Sequence, residues 1–249
     1  MRNGTLRIGT WNIAANRDLH SVIHQIAKYG IDICVLQEVV TDAEDVNWPP
    51  LLGVETNRTI YKSYFSPALA SPNKFFRPSR QYGLATLVLS DIECASLRTC
   101  MLAADTVGCV RTAETEQRIL QISHLLTNPP ILLANTHLAH TKDWSNSSFR
   151  AAQAADIALF LSTGHPNNRV ILCGDFNISP NSEDLTPIRS VLPVQYVPDK
   201  PTYPTPLPGR VIDYFFSKEP LNAFVEVHSM PQLSDHNLVI LQIENLPCV

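Results

Sequence analysis

Polar residues able to do chemistry stand at the ends of apolar, strand-like runs. Val35-Leu36-Gln37-Glu38 finishes such a run on a carboxylate, and Leu133-Ala134-Asn135-Thr136-His137 finishes one near a histidine. Ile171-Leu172-Cys173-Gly174-Asp175-Phe176-Asn177 ends on Asp and Asn, Ile212-Asp213-Tyr214 places an Asp at a strand start, and Ser234-Asp235-His236-Asn237 precedes the last apolar run. Burying a carboxylate is costly unless it is paired or binds a metal, so several converging at strand ends is what a metal–phosphate site requires. Each motif alone also has a bland reading. Asn12 in Thr10-Trp11-Asn12-Ile13 fits a satisfied amide, Glu38 a helix cap or surface acid, and His137 a structural histidine. Gly174-Asp175-Phe176-Asn177 says more, because a turn glycine would set two polar groups two residues apart. Their joint occurrence, in this order, carries the argument.

The elements that must position them follow from periodicity. Leu6–Ala14 reads as a strand. Asp18 caps a helix with Leu19, Val22, Ile23, Ile26 and Ala27 on one face, stopped by Gly30. Ile31–Val39 is an apolar strand, and an irregular stretch with Pro49-Pro50 and a strand near Ile60–Phe65 runs on to about Arg80. Strands are expected at Gly83–Leu89, Glu93–Cys100, Arg118–Leu126, Ile131–Leu138 and Val170–Phe176. A helix capped by Ser147 or Ser148 is expected to reach Leu161. A short helix follows Ser182, a proline-rich loop spans Val197–Gly209, and strands close the chain at Val211–Ser217, Phe224–His228 and Leu238–Ile243. Many strands with few helices imply α/β architecture, a four-layer sandwich of two mostly antiparallel β-sheets flanked by helices. No linker or internal repeat divides the chain, so residues 1–249 read as a single catalytic domain.

The 249 residues carry a net charge of −4, with 45% hydrophobic and 17% charged residues. That is ordinary globular composition, and it counts against a protein that coats DNA through a basic face. It does not exclude nucleic acid, because a metal in the site adds positive charge that the net figure ignores. The longest apolar runs are strand-sized, far short of the roughly 20 residues of a membrane span. The N-terminus enters a strand pattern without a signal-peptide core, which predicts a cytoplasmic protein. Six cysteines, Cys34, Cys94, Cys100, Cys109, Cys173 and Cys248, show no CxxC pairing and read as buried free thiols. Asn3-Gly4-Thr5, Asn57-Arg58-Thr59 and Asn146-Ser147-Ser148 match a glycosylation pattern by chance.

As an ordered set, Trp11-Asn12-Ile13, Leu36-Gln37-Glu38-Val39, Gln81-Tyr82-Gly83-Leu84-Ala85, Asn135-Thr136-His137-Leu138, Gly174-Asp175-Phe176-Asn177-Ile178-Ser179-Pro180, Ile212-Asp213-Tyr214 and Ser234-Asp235-His236 resemble the endonuclease/exonuclease/phosphatase superfamily, from Thr10 to Ile240. The resemblance implies a metal-dependent phosphoric ester hydrolase. It makes Glu38 the main metal ligand, with Asn12 beside it as a neutral oxygen donor and Asp235 completing or supporting the shell. Oxygen ligands favour Mg²⁺ or Mn²⁺. It also implies that Asp175 activates or orients the attacking water and that Asn177 holds substrate or nucleophile. Asp213 would hydrogen-bond His236 and favour its charged form beside the phosphate. Tyr82 and His137 are candidates for the leaving-group side. Tyr82-Gly83 resembles the exonuclease III branch and His137 the deoxyribonuclease I and sphingomyelinase branches, so the chain follows no single branch. Arg150 and Gln153, one turn apart on the helix after His137, read as a solvated helix face in preference to a brace behind the site.

Three functions remain open. A nuclease is supported by the Tyr82 and Asn177 motifs and by Lys74, Arg77 and Arg80, with Phe75 and Phe76 interleaved, as a stretch able to grip a backbone and stack on bases. A solvated loop explains that stretch equally well. A phosphatase or phosphodiesterase acting on a lipid headgroup, inositol phosphate or other small phosphoester fits the acidic balance and His137. A catalytically silent binding module is disfavoured, since no site residue is missing. The nuclease reading comes first.

Overall fold

The computed structural model describes residues 4–16, 18–42, 60–69, 80–103, 117–163, 168–204 and 209–245. The Lys74–Arg77 stretch, the Arg80 side chain, Pro49-Pro50, Asn3 of the first glycosylation pattern, the whole of the second, Cys109 and Cys248 lie outside them. Strands β1 (Leu6–Asn12), β2 (Ile33–Asp42), β3 (Tyr61–Leu69), β4 (Arg80–Leu89), β11 (Ala223–His228) and β12 (Leu238–Ile243) form one six-stranded sheet in the order β11-β12-β1-β2-β4-β3. Strands β5 (Cys94–Met101), β6 (Ile119–Leu125), β7 (Ile131–His137), β8 (Arg169–Asp175), β9 (Val194–Tyr196) and β10 (Asp213–Ser217) form the other, in the order β5-β6-β7-β8-β10-β9. Helix α1 (Leu19–Lys28) links β1 to β2, and α2 (Ser148–Ser162) links β7 to β8. A 3₁₀ turn (Glu183–Leu185) runs into α3 (Thr186–Val191). Of these strands, β9 falls within the predicted approach to the proline-rich loop; three residues are too few to carry a period-two signal.

Among the described residues, β1–β2 and β7–β8 pair in parallel and the other strand pairings are antiparallel. A parallel pair needs a crossover, and α1 and α2 supply it. The two sheets therefore share one topology, with a helix-linked parallel pair at the centre of each. Ligands of such units gather outside the carboxyl ends of the parallel strands. Here the parallel pairing runs out at Asn12 and Gln37 in one sheet, with Glu38 next along β2, and at His137 and Asp175 in the other.

Three apolar layers fill the sandwich. Leu6, Ile8, Ile33, Val35 and Val88 face Ile131, Leu133, Ile171 and Phe215 between the sheets. Asp18 caps α1 through its side chain to the Ser21 N–H, and Val22, Ile23 and Ile26 bury against Trp11, Leu36 and Ile240. Each such aliphatic side chain stabilises by about 1.5–3 kcal/mol. Ala154, Ile157 and Leu161 of α2 pack on the opposite sheet with Leu185 and Ile188. No helix of the described residues is long and apolar enough to cross a membrane.

Near the strand ends the inter-sheet layer becomes polar. Gln37 Nε2 donates to Asn135 Oδ1 at 2.8 Å, joining β2 to β7 across the interface. Asn135 Nδ2 donates back to the Leu36 and Ala85 carbonyls, both at 3.2 Å. All these groups are buried, so every lost partner would leave an orphan in low dielectric. These amide bridges set the two sheets against each other directly beneath the site.

Candidate active site

A bulge in β2 aims its carboxylate. The β2–β4 register shifts between Leu36 and Val39, and Glu38 takes φ 57°, a conformation that L residues seldom adopt. Without the extra residue, strand alternation would send Gln37 and Glu38 to opposite faces. With it, Gln37 bridges the sheets while Glu38 reaches Asn12.

Gly174 is not a turn glycine as its motif predicts. It lies inside β8, opposite Thr136 of β7, with φ 145°. A Cβ there would stand 2.0 Å from the Thr136 carbonyl oxygen, so only glycine lets the parallel strands approach. The turn follows it: Asn177 adopts φ 54°, and its backbone N–H donates to Asp175 Oδ1 at 2.9 Å.

Asp175 is the hub. Its Oδ2 accepts from Asn12 Nδ2 at 3.0 Å and faces His137 Nε2 at 3.5 Å and His236 Nε2 at 3.7 Å. Burial and the neighbouring Asp213 push its carboxyl up to about 7, against the pull of His236, Asn12 and the Asn177 N–H. His236 Nδ1 pairs with Asp213 Oδ2 at 2.9 Å. Burial alone would depress His236, but Asp213 and Asp175 outweigh it and push the imidazole up to about 10, so it is charged at neutral pH. Asp213 is itself held by backbone: its N–H, like that of Ile212, donates to Thr202 Oγ1 at 3.0 Å.

Asn12 bridges the two sheets' carboxylates, donating also to Glu38 Oε1 at 3.1 Å while its Oδ1 accepts from the Ala14 N–H at 3.0 Å. Burial raises Glu38, countered by the Asn12 hydrogen bond and the charges of Arg118 and His236. Asp235 is exposed in the loop before β12, close enough to act electrostatically on Glu38 and His236. Tyr82 and His137 line one small pocket together with Gly83, Leu84, Gln117 and Arg118. All nine sequence-predicted site residues thus lie on the same strand-end face, in one connected neighbourhood.

A metal fits this chemistry. Glu38 and Asp175 both stand raised by burial, and Asp213 Oδ1 is buried with no hydrogen-bond partner among the described residues. A cation relieves that excess of buried negative charge. Asp175, Asp213 and His236 also offer ligand atoms within 4.8 Å of one another. His236 Nδ1 is taken up by Asp213, and the carboxylates of Glu38, Asp175 and Asp213 are oxygen donors, which suit a hard divalent ion.

Arg150 and Gln153 correct the expectation of a solvated face. Arg150 is fully buried, its Nε 2.9 Å from Asp184 Oδ2, and it donates to the carbonyls of Ala139, Asn177 and Ser145. Gln153 Oε1 accepts from the Ala139 N–H at 2.9 Å and its Nε2 donates to the Ala103 carbonyl at 3.1 Å. Both brace the loop after His137 and the Asn177 turn from behind.

Two groups near the site escape sequence reasoning. Arg118, just ahead of β6, is buried with Nη1 2.9 Å from His137 Nδ1. Tyr203, from the proline-rich loop, lies 4.9 Å from the His236 ring. Beyond it come Trp144 at 5.8 Å and His140 at a further 4.6 Å, with the Arg210 guanidinium 4.6 Å over the indole. No periodicity marks a loop tyrosine. An arginine beside a strand that pairs with the strand of His137 was the only available hint for Arg118.

The chain belongs to the endonuclease/exonuclease/phosphatase family, whose model matches residues 9–236. The members are phosphoester hydrolases, and so is this enzyme. Solved structures share the fold. The human Nocturnin catalytic domain with bound sulfate is 20% identical over 96% of this chain and 94% of its own, with a TM-score of 0.69. TDP2 of D. rerio complexed with a single-strand DNA product is 15% identical over 96% and 99%, TM-score 0.65. A mannosyl-6-phosphatase of Bacteroides thetaiotaomicron is 15% identical over 95% and 98%, TM-score 0.63. Likeness at this identity speaks for fold alone. No curated protein matches the chain in sequence.

Proposed function

We propose that this chain is a divalent-metal-dependent phosphodiesterase that cleaves nucleic acid, acting as one catalytic unit. The observation that carries the substrate class is the aromatic row His236–Tyr203–Trp144–His140 with Arg210 over the indole. It leads away from His236 beside an open cleft lined by Trp144, Ile178, Ser179 and Arg210. Ring faces with an arginine suit the bases on either side of a scissile phosphate, since every base has a π-face.

Glu38 would hold Mg²⁺ or Mn²⁺ with Asp235, and a half-turn of the Asn12 amide would present its oxygen. Such an ion screens the phosphate anion and polarises its oxygens. Asp175, near neutrality, accepts the proton of the attacking water, and Asn177 holds the turn that aims it. The His236 imidazolium, fixed by Asp213, donates to a phosphoryl oxygen as negative charge develops. As the ester bond breaks, His137 and Tyr82 face and hydrogen-bond the departing oxygen, which leaves as an alkoxide and takes its proton from solvent water, while Asp175 returns its proton to solvent.

The D. rerio TDP2 structure with its single-strand DNA product lends the nuclease reading support by analogy, and the mannosyl-6-phosphatase does the same for a small phosphoester. The four described free cysteines accord with a reducing, cytoplasmic setting. The decisive experiment supplies Mg²⁺ or Mn²⁺ and compares plasmid DNA, single-stranded DNA, RNA, abasic duplex, phosphoinositides, sphingomyelin and a sugar phosphate. Cleavage of a nucleic acid is expected. Intact nucleic acids at low salt, with turnover of a headgroup or sugar phosphate, would overturn the substrate class and leave the family intact.

A further inference from the structure

The site holds two histidines whose Nδ1 atoms meet opposite partners. His236 Nδ1 faces a carboxylate oxygen of Asp213, an acceptor. His137 Nδ1 faces Arg118 Nη1 at 2.9 Å, and a guanidinium nitrogen can only donate. An imidazole nitrogen that accepts carries no hydrogen, so the ring proton of His137 must sit on Nε2. That nitrogen points into the site, 3.5 Å from Asp175 Oδ2. Both residues are buried, His137 at 6% and Arg118 at 5% exposure, so water does not compete for the contact.

We propose that Arg118 is a positioning residue that fixes His137 as a neutral imidazole with its proton on Nε2, a hydrogen-bond donor to the departing ester oxygen. The electrostatics agree: burial, then the charges of Arg118, His236 and His140, hold His137 well below the ordinary histidine range. The site thereby divides labour between its histidines, a cation paired with Asp213 for developing phosphate charge and a neutral donor for the leaving group. Environments that push paired groups apart in this way mark distinct roles. Their pocket, which also holds Tyr82, lies on the leaving side in the proposed function, and the kinetic arm of the test rests on that function.

The test begins with the wild-type protein, uniformly labelled with ¹⁵N at histidine, in Mg²⁺ at neutral pH. His137, identified by its absence in His137→Gln, should show a bare Nδ1 and a protonated Nε2. In Arg118→Met the proton should redistribute between both nitrogens, while Arg118→Lys, which still only donates, should keep the wild-type pattern. With nucleotide diesters, Arg118→Met should lower kcat about a hundredfold for an alkyl leaving group, the scale of a misplaced catalytic group. For p-nitrophenolate, which departs unassisted, the loss should be much smaller, and Arg118→Lys should restore much of the alkyl rate. A protonated Nδ1 in the wild-type protein, an unchanged tautomer in Arg118→Met, or equal kinetic losses for both leaving groups would overturn the proposal. If neither ester is hydrolysed by the wild-type protein the proposed function fails, and the spectra still decide the tautomer.

Discussion

Replacing Arg150 with methionine keeps the length of an aliphatic stem but removes the charge and every donor. In the folded protein this strands the Asp184 carboxylate, 5% exposed, with the Ser147 N–H at 2.9 Å as its remaining donor among the described residues. The Ala139, Asn177 and Ser145 carbonyls lose their guanidinium as well. Breaking a buried ion pair from one side costs about 3–5 kcal/mol, a large share of the roughly 5–15 kcal/mol that holds a domain together. For a chain of this size that corresponds to a fall in Tm of about 6–20 °C. Asp184→Asn added to Arg150→Met removes the orphaned charge, so the double variant should recover about 1–3 kcal/mol of coupling. Urea unfolding followed by circular dichroism supplies all four corners of the cycle. Turnover should fall too, because Arg150 secures the carbonyl of Asn177, whose turn holds Asp175 Oδ1. A single-variant cost within about 1 kcal/mol, the range of exposed pairs, or strict additivity would refute the buried-brace reasoning.

Glu38→Gln should stay folded, bind Mn²⁺ at least about tenfold more weakly by calorimetry, a difference of about 1.4 kcal/mol, and lose turnover as the wild-type protein does in EDTA. Full activity in excess chelator would remove the metal assignment. Asp175→Asn should lower kcat by at least about a hundredfold with little change in KM, the lower end for a lost general base; near wild-type kcat would make Asp175 structural. His236→Ala and Asp213→Asn should each be as damaging as the double variant, whereas additive losses in steady-state kinetics would show independent roles. Gln37→Leu leaves Asn135 Oδ1 without its donor and should cost about 1–3 kcal/mol in a urea melt while lowering kcat; loss of neither would deny that the amide bridge aligns the sheets.

Much of this molecule is legible in the chain itself. Strand-length apolar runs, helices with aliphatic stripes and polar residues stranded at apolar run ends are local patterns. Local spacing is enough to read them, because backbone periodicity decides which face a side chain takes. Asn12, Glu38, His137, Asp175, Asn177, Asp213, Asp235 and His236 are visible in that way, and so is the sandwich. What a side chain meets beyond its own element is set by packing between segments distant in sequence. The pattern around Arg150 is the same whether α2 turns it to water or to Asp184, 34 residues away. Gly174 looks like a turn until β7 is laid against β8 and the Thr136 carbonyl takes the room of a Cβ. Glu38 faces Asn12 only because β2 bulges opposite β4. The tautomer of His137 follows from which neighbour β6 delivers, since a carboxylate in place of Arg118 would put the proton on the other nitrogen.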